Sequence, residues 1–367
     1  MVNVGVVGGG LCGLATTYHL AGLSEVARVT IYDGAARDGV AVNRSGFYET
    51  ASAVAAGILH PLTPRLKLGW NAEAAMREAE ALLSEAAPFA TSELVRTNTL
   101  VRPCRDAEDA ELARAAAAKL GPKYLEWLEP AELDRLGRCY GLETIGGVRI
   151  VGGRIVDVPA YSAALWCFLA STRASKVAWV EARVEDPRAL DHDVVVCCGG
   201  AMAAAVFARE GVARNSVVYS QSLVVESDVP LGAPALLRGD YVCPGAVSGR
   251  VIVGATRDRF TDLETENIRA RPDAVLGLVD RLFPATAIAG QDWHFSPLEA
   301  KAAARLDGPR THFGRLPFVK VVDGLVLAGG LGARGLLRHS QVGRLAAMAA
   351  ISGDDAHVPE PLRAIVI

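Results

Sequence analysis

The chain has 367 residues, of which 51% are hydrophobic, and carries a formal net charge of −3 with a pI near 6.2. At about 100 to 200 residues per domain this length predicts two domains, with ample apolar material for both cores. The charge gives no reason for tight nonspecific nucleic-acid binding, and the longest uncharged apolar run, residues 194–208, falls short of the roughly 18 residues of a membrane span.

The amino terminus opens on strand residues, without a basic segment and apolar signal core, which predicts a cytoplasmic protein. That strand runs into VVGGGLCGL, a helix follows, and a second strand, VTIYD, ends in Asp33. In the spacing Gly8-x-Gly10-x-x-Gly13, Gly8 allows a tight turn, Gly10 admits a pyrophosphate to the backbone, and Gly13 lets the helix lie against the strand. Leu11 and Cys12 fall in the first helical turn, whose free N–H groups and partial positive charge suit phosphate. Asp33 lies about twenty residues beyond the glycines, where a carboxylate accepts the ribose hydroxyls. Strand, glycines, helix, strand and acid in that order predict an ADP-containing dinucleotide.

Further along, amphipathic helices are predicted over residues 71–87, 107–120 and 130–136, as a helical insertion after the dinucleotide unit. Strand-like segments flank a turn at Gly152-Gly153, Pro159 opens a helix, and the strands VAWVEARV and DVVVCCGG follow. Residues 216–257 read as antiparallel strands with a hairpin turn at Ser248-Gly249, the sheet of a second domain. A helix is predicted over 272–282. The chain closes with a strand, a glycine-rich turn and a long helix, so the dinucleotide domain is expected to be discontinuous: 1–68, 150–212 and 300–367, with the second domain at 69–149 and 213–299. The seven cysteines form no CxxC pair and show no metal-like spacing, which predicts reduced, mostly buried thiols and no metal.

With these segments lined up, the chain resembles the D-amino-acid oxidase family of flavoproteins, near glycine oxidase and the oxidase domain of the bifunctional wobble-uridine tRNA-modifying enzyme. The resemblance rests on the glycine motif, ASAVAAGILHP at 51–61, VVVCCGGA at 194–201, DYVCPG with RVIVGAT, and AGGLGARGLL at 328–337. It implies an α/β fold with a Rossmann-like FAD-binding domain, a second α+β substrate domain on a mixed or antiparallel sheet, and FAD in place of NAD.

By the same resemblance, Ser52 would donate to a phosphate, and Ala55, Ala56 and Gly57 would pack against the extended middle of the flavin. Val184 would contact adenine through its backbone, and Gly199 and Gly200 would let the next turn approach. Gly330, Gly332, Ala333, Gly335 and Leu336 would open the last helix beside the pyrimidine edge, where N–H groups favour the negative charge of reduced flavin. Arg334 and Arg305 are the candidates for holding a substrate carboxylate. Ala304 and Leu306 depart from the family's usual neighbours of Arg305, which leaves a surface ion pair as its alternative. Tyr241 falls where relatives carry a substrate-facing tyrosine, and His60 is the polar side chain nearest the expected flavin ring, a structural histidine being the plainer reading. Arg44, His294 and His339 are assigned no chemistry.

The reaction implied is oxidation of the C–N bond of an amino acid or secondary amine, by hydride transfer to flavin N5 and hydrolysis of the resulting imine, with O2 or another acceptor taking the electrons. Aromatic hydroxylases would show a GDA-type motif where this chain has GGLGARG, and disulfide reductases need a cysteine pair that is missing here. Two alternatives stay open. One is the same fold acting on a carboxymethylaminomethyl arm of a modified tRNA nucleoside, although the acidic balance predicts no nucleic-acid partner. The other is an FAD-binding scaffold without turnover.

Overall fold

The computed structural model describes residues 1–34, 50–137, 145–212, 216–227, 232–260 and 296–363. Arg44, His294 and the helix expected over 272–282 lie outside them.

Short Val- and Ile-rich strands that read as unbroken apolar runs belong in a parallel sheet covered on both faces. They form a six-stranded sheet in the order Phe318–Val322, Leu325–Gly329, Val194–Cys197, Val2–Val7, Val26–Asp33, Val177–Glu181. Every pairing is parallel except at the edge strand Phe318–Val322. Val4, Val6, Val29, Ile31 and Val196 are fully buried in it.

The carboxyl-terminal helix Gly335–Ser352 closes this unit by crossing the helix Leu11–Ala21. The two backbones touch because Gly343 has no side chain: a Cβ there would lie 2.7 Å from the carbonyl carbon of Ala15. The helix Ala72–Ala86 packs on Gly335–Ser352 and on Val158–Thr172. Its face of Ala72, Ala75, Ala79 and Leu82 joins the same core as Val4 and Leu345. The first helix of the expected insertion therefore packs in the core of the parallel-rich sheet.

The second sheet has nine strands and is mainly antiparallel. Ser216–Glu226 pairs on one edge with Arg250–Gly254 and Asp258–Phe260, and along its length with Ser296–Asp307. Asp240–Pro244 and Arg250–Gly254 form the expected hairpin, closed by Gly245 N–H donating to Arg250 O at 2.7 Å. Ala235–Arg238 continues the sheet and pairs parallel to Leu100–Pro103, which leads to Gly147–Ile150 and Leu125–Leu128. The Gly152-Gly153 turn is a crossover between sheets. Gly147–Ile150 stays in the large sheet, while Arg154–Val156 pairs with Ile58–Leu59 and Val95–Thr97 in a small one. The fold is thus α/β, a parallel-rich sheet joined to a mixed, mainly antiparallel one. Among the described residues no helix is long and apolar enough to cross a membrane, no three His, Cys, Asp or Glu side chains could share a metal, and six cysteines are free.

Two histidines sit in the helical layer. His19 lies 3.3 Å from Ser340 Oγ, and His339 lies between Tyr161 Oη and Leu336 O at 2.8 and 2.7 Å. Burial pushes each from 6.5 down to about 4. Both are neutral in the folded protein, while the unfolded chain takes up their protons below about pH 6.5. Their contribution is therefore intact above that pH and is lost as pH falls from 6.5 toward 4, at roughly 2 to 3 kcal/mol per pH unit for two such groups. Urea midpoints at pH 7.5, 6 and 5 should fall accordingly; a flat profile over that range would show that these rings protonate in place.

Candidate cofactor and substrate site

A cavity of about 1070 Å³ opens between the two sheets, at the carboxyl ends of the parallel strands. This is the crevice where open α/β sheets take ligands. Its floor is the glycine turn. Gly8 has φ +102°, a left-handed conformation that a side chain would strain, and a Cβ there would lie 2.8 Å from Cys198 O. A Cβ on Gly13 would lie 1.8 Å from Gly8 O, so only glycine lets the helix reach the strand. Of the residues assigned to cofactor or substrate from sequence, only Gly13 stands behind the wall; all the others line the one cavity.

The helix Leu11–Ala21 starts at Gly10 with no side-chain cap and no acid in its first turn. Ser52 Oγ accepts one of its N–H groups, from Leu11 at 3.3 Å, and the Asp33 carboxylate accepts from Gly9 N–H. Asp33 thereby ties the end of its strand to the glycine turn while still facing the cavity. The last helix also begins without a side-chain cap or an acid, after the short turn Gly332–Arg334. Two helix starts without a side-chain cap of their own, a glycine cradle and the small side chains Ala55 and Ala56 on one cavity fit a dinucleotide with an anionic middle. Val184 lies two residues beyond Ala182, whose N–H donates to Asp33 O, and Gly199 lies against Gly8.

Part of the lining is basic. Arg334 is half-buried, its Nη1 lies over Gly69, and among the described residues its guanidinium has no hydrogen-bond or ion-pair partner. Burial alone lowers its pKa. Beside it, His60 Nδ1 accepts from Leu62 N–H at 3.2 Å, a geometry that assigns the proton to Nε2. Burial, then the Arg334 charge, pushes this imidazole down to about 4. At neutral pH His60 offers a donor and no charge, and its only lone pair is already engaged.

Arg305 is no surface ion pair: its side chain is 18% exposed and faces the cavity from the strand Ser296–Asp307. It donates to Ser220 Oγ and holds Asp307 at 3.5 Å in an ionic contact without hydrogen-bond alignment. Tyr241 lies opposite Gly254 across the hairpin, and its ring occupies the space a Cβ on Gly254 would need. Burial raises its pKa, so the phenol stays protonated and can donate. His339 is in the core and off the cavity.

The sequence reading passed over five further arginines of the lining, Arg102, Arg105, Arg183, Arg238 and Arg257, and the buried Arg338. Arg257, at the rim, donates to Gly239 O at 2.7 Å and lines the cavity. Arg338, one helical turn beyond Arg334, is 2% exposed, donates to Gln341 Oε1 and Trp70 O, and is pushed down to about 10 by burial and by Arg334. The i, i+4 spacing on an otherwise apolar helix was its signal.

Comparison with known proteins agrees with this geometry. The family description "DAO: FAD dependent oxidoreductase" matches residues 3–349. No curated protein matches the chain. Among solved structures, glycine oxidase from Geobacillus kaustophilus is similar at 22% identity with a TM-score of 0.76, over 99% of this chain and 98% of that one. Iminodiacetate oxidase from Chelativorans sp. BNC1 is similar at 21% identity with a TM-score of 0.73, over 98% of both chains. L-alpha-glycerophosphate oxidase from Mycoplasma pneumoniae, solved with FAD bound, is similar at 16% identity with a TM-score of 0.69, over 96% and 94%.

Proposed function

The chain belongs to the DAO family of FAD-dependent oxidoreductases, with FAD as its cofactor, and from that premise we propose that it oxidises the C–N bond of an amino acid or a secondary amine bearing a carboxylate. The observation that carries this reading is the Arg334 guanidinium, half-buried on the cavity and without an anion among the described residues. A guanidinium offers two parallel donors to the two oxygens of a carboxylate.

FAD, when bound, would supply the hydride acceptor and a route for the electrons to O2 or another oxidant. The chain's own part is placement. Arg334 fixes the carboxylate and Tyr241 donates to it or lines the pocket. His60 presents Nε2–H beside Arg334, and the uncapped start of Gly335–Ser352 places a partial positive charge on the same wall. His60 is a poor proton acceptor, so the amine enters as its free base and releases its proton to solvent once the C=N bond has formed.

The test is anaerobic addition of glycine, sarcosine, D-amino acids and L-proline to the purified yellow protein, following the flavin band near roughly 450 nm. Bleaching by one compound supports the reading; a flavin that no amine reduces would sink it and turn attention to the modified-nucleoside arm. With an active compound in hand, Tyr241→Phe should raise KM roughly 10- to 100-fold at nearly constant kcat, the worth of one hydrogen bond to a charged carboxylate. An unchanged KM would leave Tyr241 as a packing residue.

A further inference from the structure

Two of the arginines that line the cavity stand on different sheets. Arg334 projects from the turn after Leu325–Gly329 in the parallel-rich sheet, and Arg305 from Ser296–Asp307 in the mixed sheet. Arg334 is disturbed by burial alone, whereas Arg305 sits among Asp307, Arg257 and Tyr241. The charges are poorly balanced. Asp307, the carboxylate beside Arg305, is shared with Arg315 at 3.8 Å, and Arg257 at the rim adds a further positive charge held by a carbonyl. Behind Arg334, the buried Arg338 is satisfied by neutral acceptors. A half-buried cation without an anion is costly, and each guanidinium can take a carboxylate of its own.

Resting on the amine-oxidising reading above, we propose that the substrate is a secondary amine with a carboxylate on each arm, one held by Arg334 and the other by Arg305 with Arg257 at the rim. The nitrogen and both α-carbons then lie between the clamps. In the reaction a hydride leaves one α-carbon for the cofactor, a proton leaves nitrogen for solvent, and C=N forms. Water adds to that carbon, the C–N bond breaks, and the products are a 2-oxo acid and an amino acid. With iminodiacetate as probe these are glyoxylate and glycine.

The experiment is rapid-mixing anaerobic reduction of the holoenzyme by iminodiacetate, sarcosine and glycine, with the wild type and Arg305→Gln. The wild type should show a ratio of reduction rate to dissociation constant for iminodiacetate roughly 10- to 100-fold above that for sarcosine, the worth of one further charge-assisted pair. Arg305→Gln, checked for retained FAD by its spectrum, should shrink that ratio at least about tenfold. Sarcosine or glycine reacting as well as iminodiacetate, or a ratio that Arg305→Gln leaves unmoved, overturns the two-clamp inference while the oxidase reading stands. Failure of every amine to reduce the flavin overturns both.

Discussion

Valine at position 13 is expected to yield a colourless, destabilised protein, whereas alanine at position 10 should yield a colourless protein as stable as the cofactor-stripped wild type. The contrast follows from what each new Cβ would meet. At Gly13 it would lie 1.8 Å from Gly8 O, backbone against backbone. Neither side can yield, since Gly8 N–H donates to Tyr32 O at 2.8 Å and Leu14 N–H to Gly10 O at 3.0 Å. The helix must swing off the strand, at about 1 to 3 kcal/mol or more for the overpacked contact, and its amino end moves off the phosphates. At Gly10 the nearest atom is Ser52 Oγ at 3.4 Å, so the folded chain has room for a methyl group and only an approaching ligand meets it. Thermal denaturation of both variants beside stripped wild type, with FAD titrated back, separates the two. Gly10→Ala binding FAD normally would place the pyrophosphate elsewhere, and Gly13→Val keeping its colour and melting point would show that the helix relaxes without loss.

The glycine turn was legible in the sequence because backbone sterics are local: three missing side chains and an acid at fixed spacing leave few other structures. The closing of the same domain by the carboxyl terminus was legible for a like reason, a second strand, glycine turn and helix at 325–352. Placement of the alanine-rich helix Ala72–Ala86 was not. Its small apolar face announces that it packs closely but carries no information on which partner, and the partner proved to be the last helix, over 250 residues away. The Gly152-Gly153 turn shows the same limit, since alternation predicts two strands and register alone decides that they enter different sheets. Arg305 was found by resemblance, but its setting came from Ser220 on a neighbouring strand, paired through the register Val218↔Arg305. Arg338 was passed over because an arginine on a terminal helix ordinarily reaches solvent.

Removing the Arg334 guanidinium should cost activity without costing stability. In Arg334→Ala the kcat/KM for a carboxylate-bearing amine is expected to fall roughly 100- to 1000-fold, the range for truncating one member of a desolvated charge pair. Most of the loss should appear in KM if the clamp serves ground and transition states alike, and in kcat if it acts by orienting the α-carbon. The melting temperature should hold or rise, because in the free enzyme this guanidinium has no hydrogen-bond or ion-pair partner among the described residues, and the neighbouring Arg338 is relieved of a like charge. Burial of an unpaired cation is tolerated in a wall that an anion will cover. Arg334→Lys should recover only part of the activity, since an ammonium cannot match two oxygens with a rigid fork. A carboxylate-free amine provides the internal control: were benzylamine oxidised by the wild type, Arg334→Ala should leave its rate nearly unchanged. Equal losses on both classes of amine would mean that Arg334 serves the flavin rather than the substrate, and an Arg334→Ala enzyme with wild-type kinetics would remove it from the site altogether.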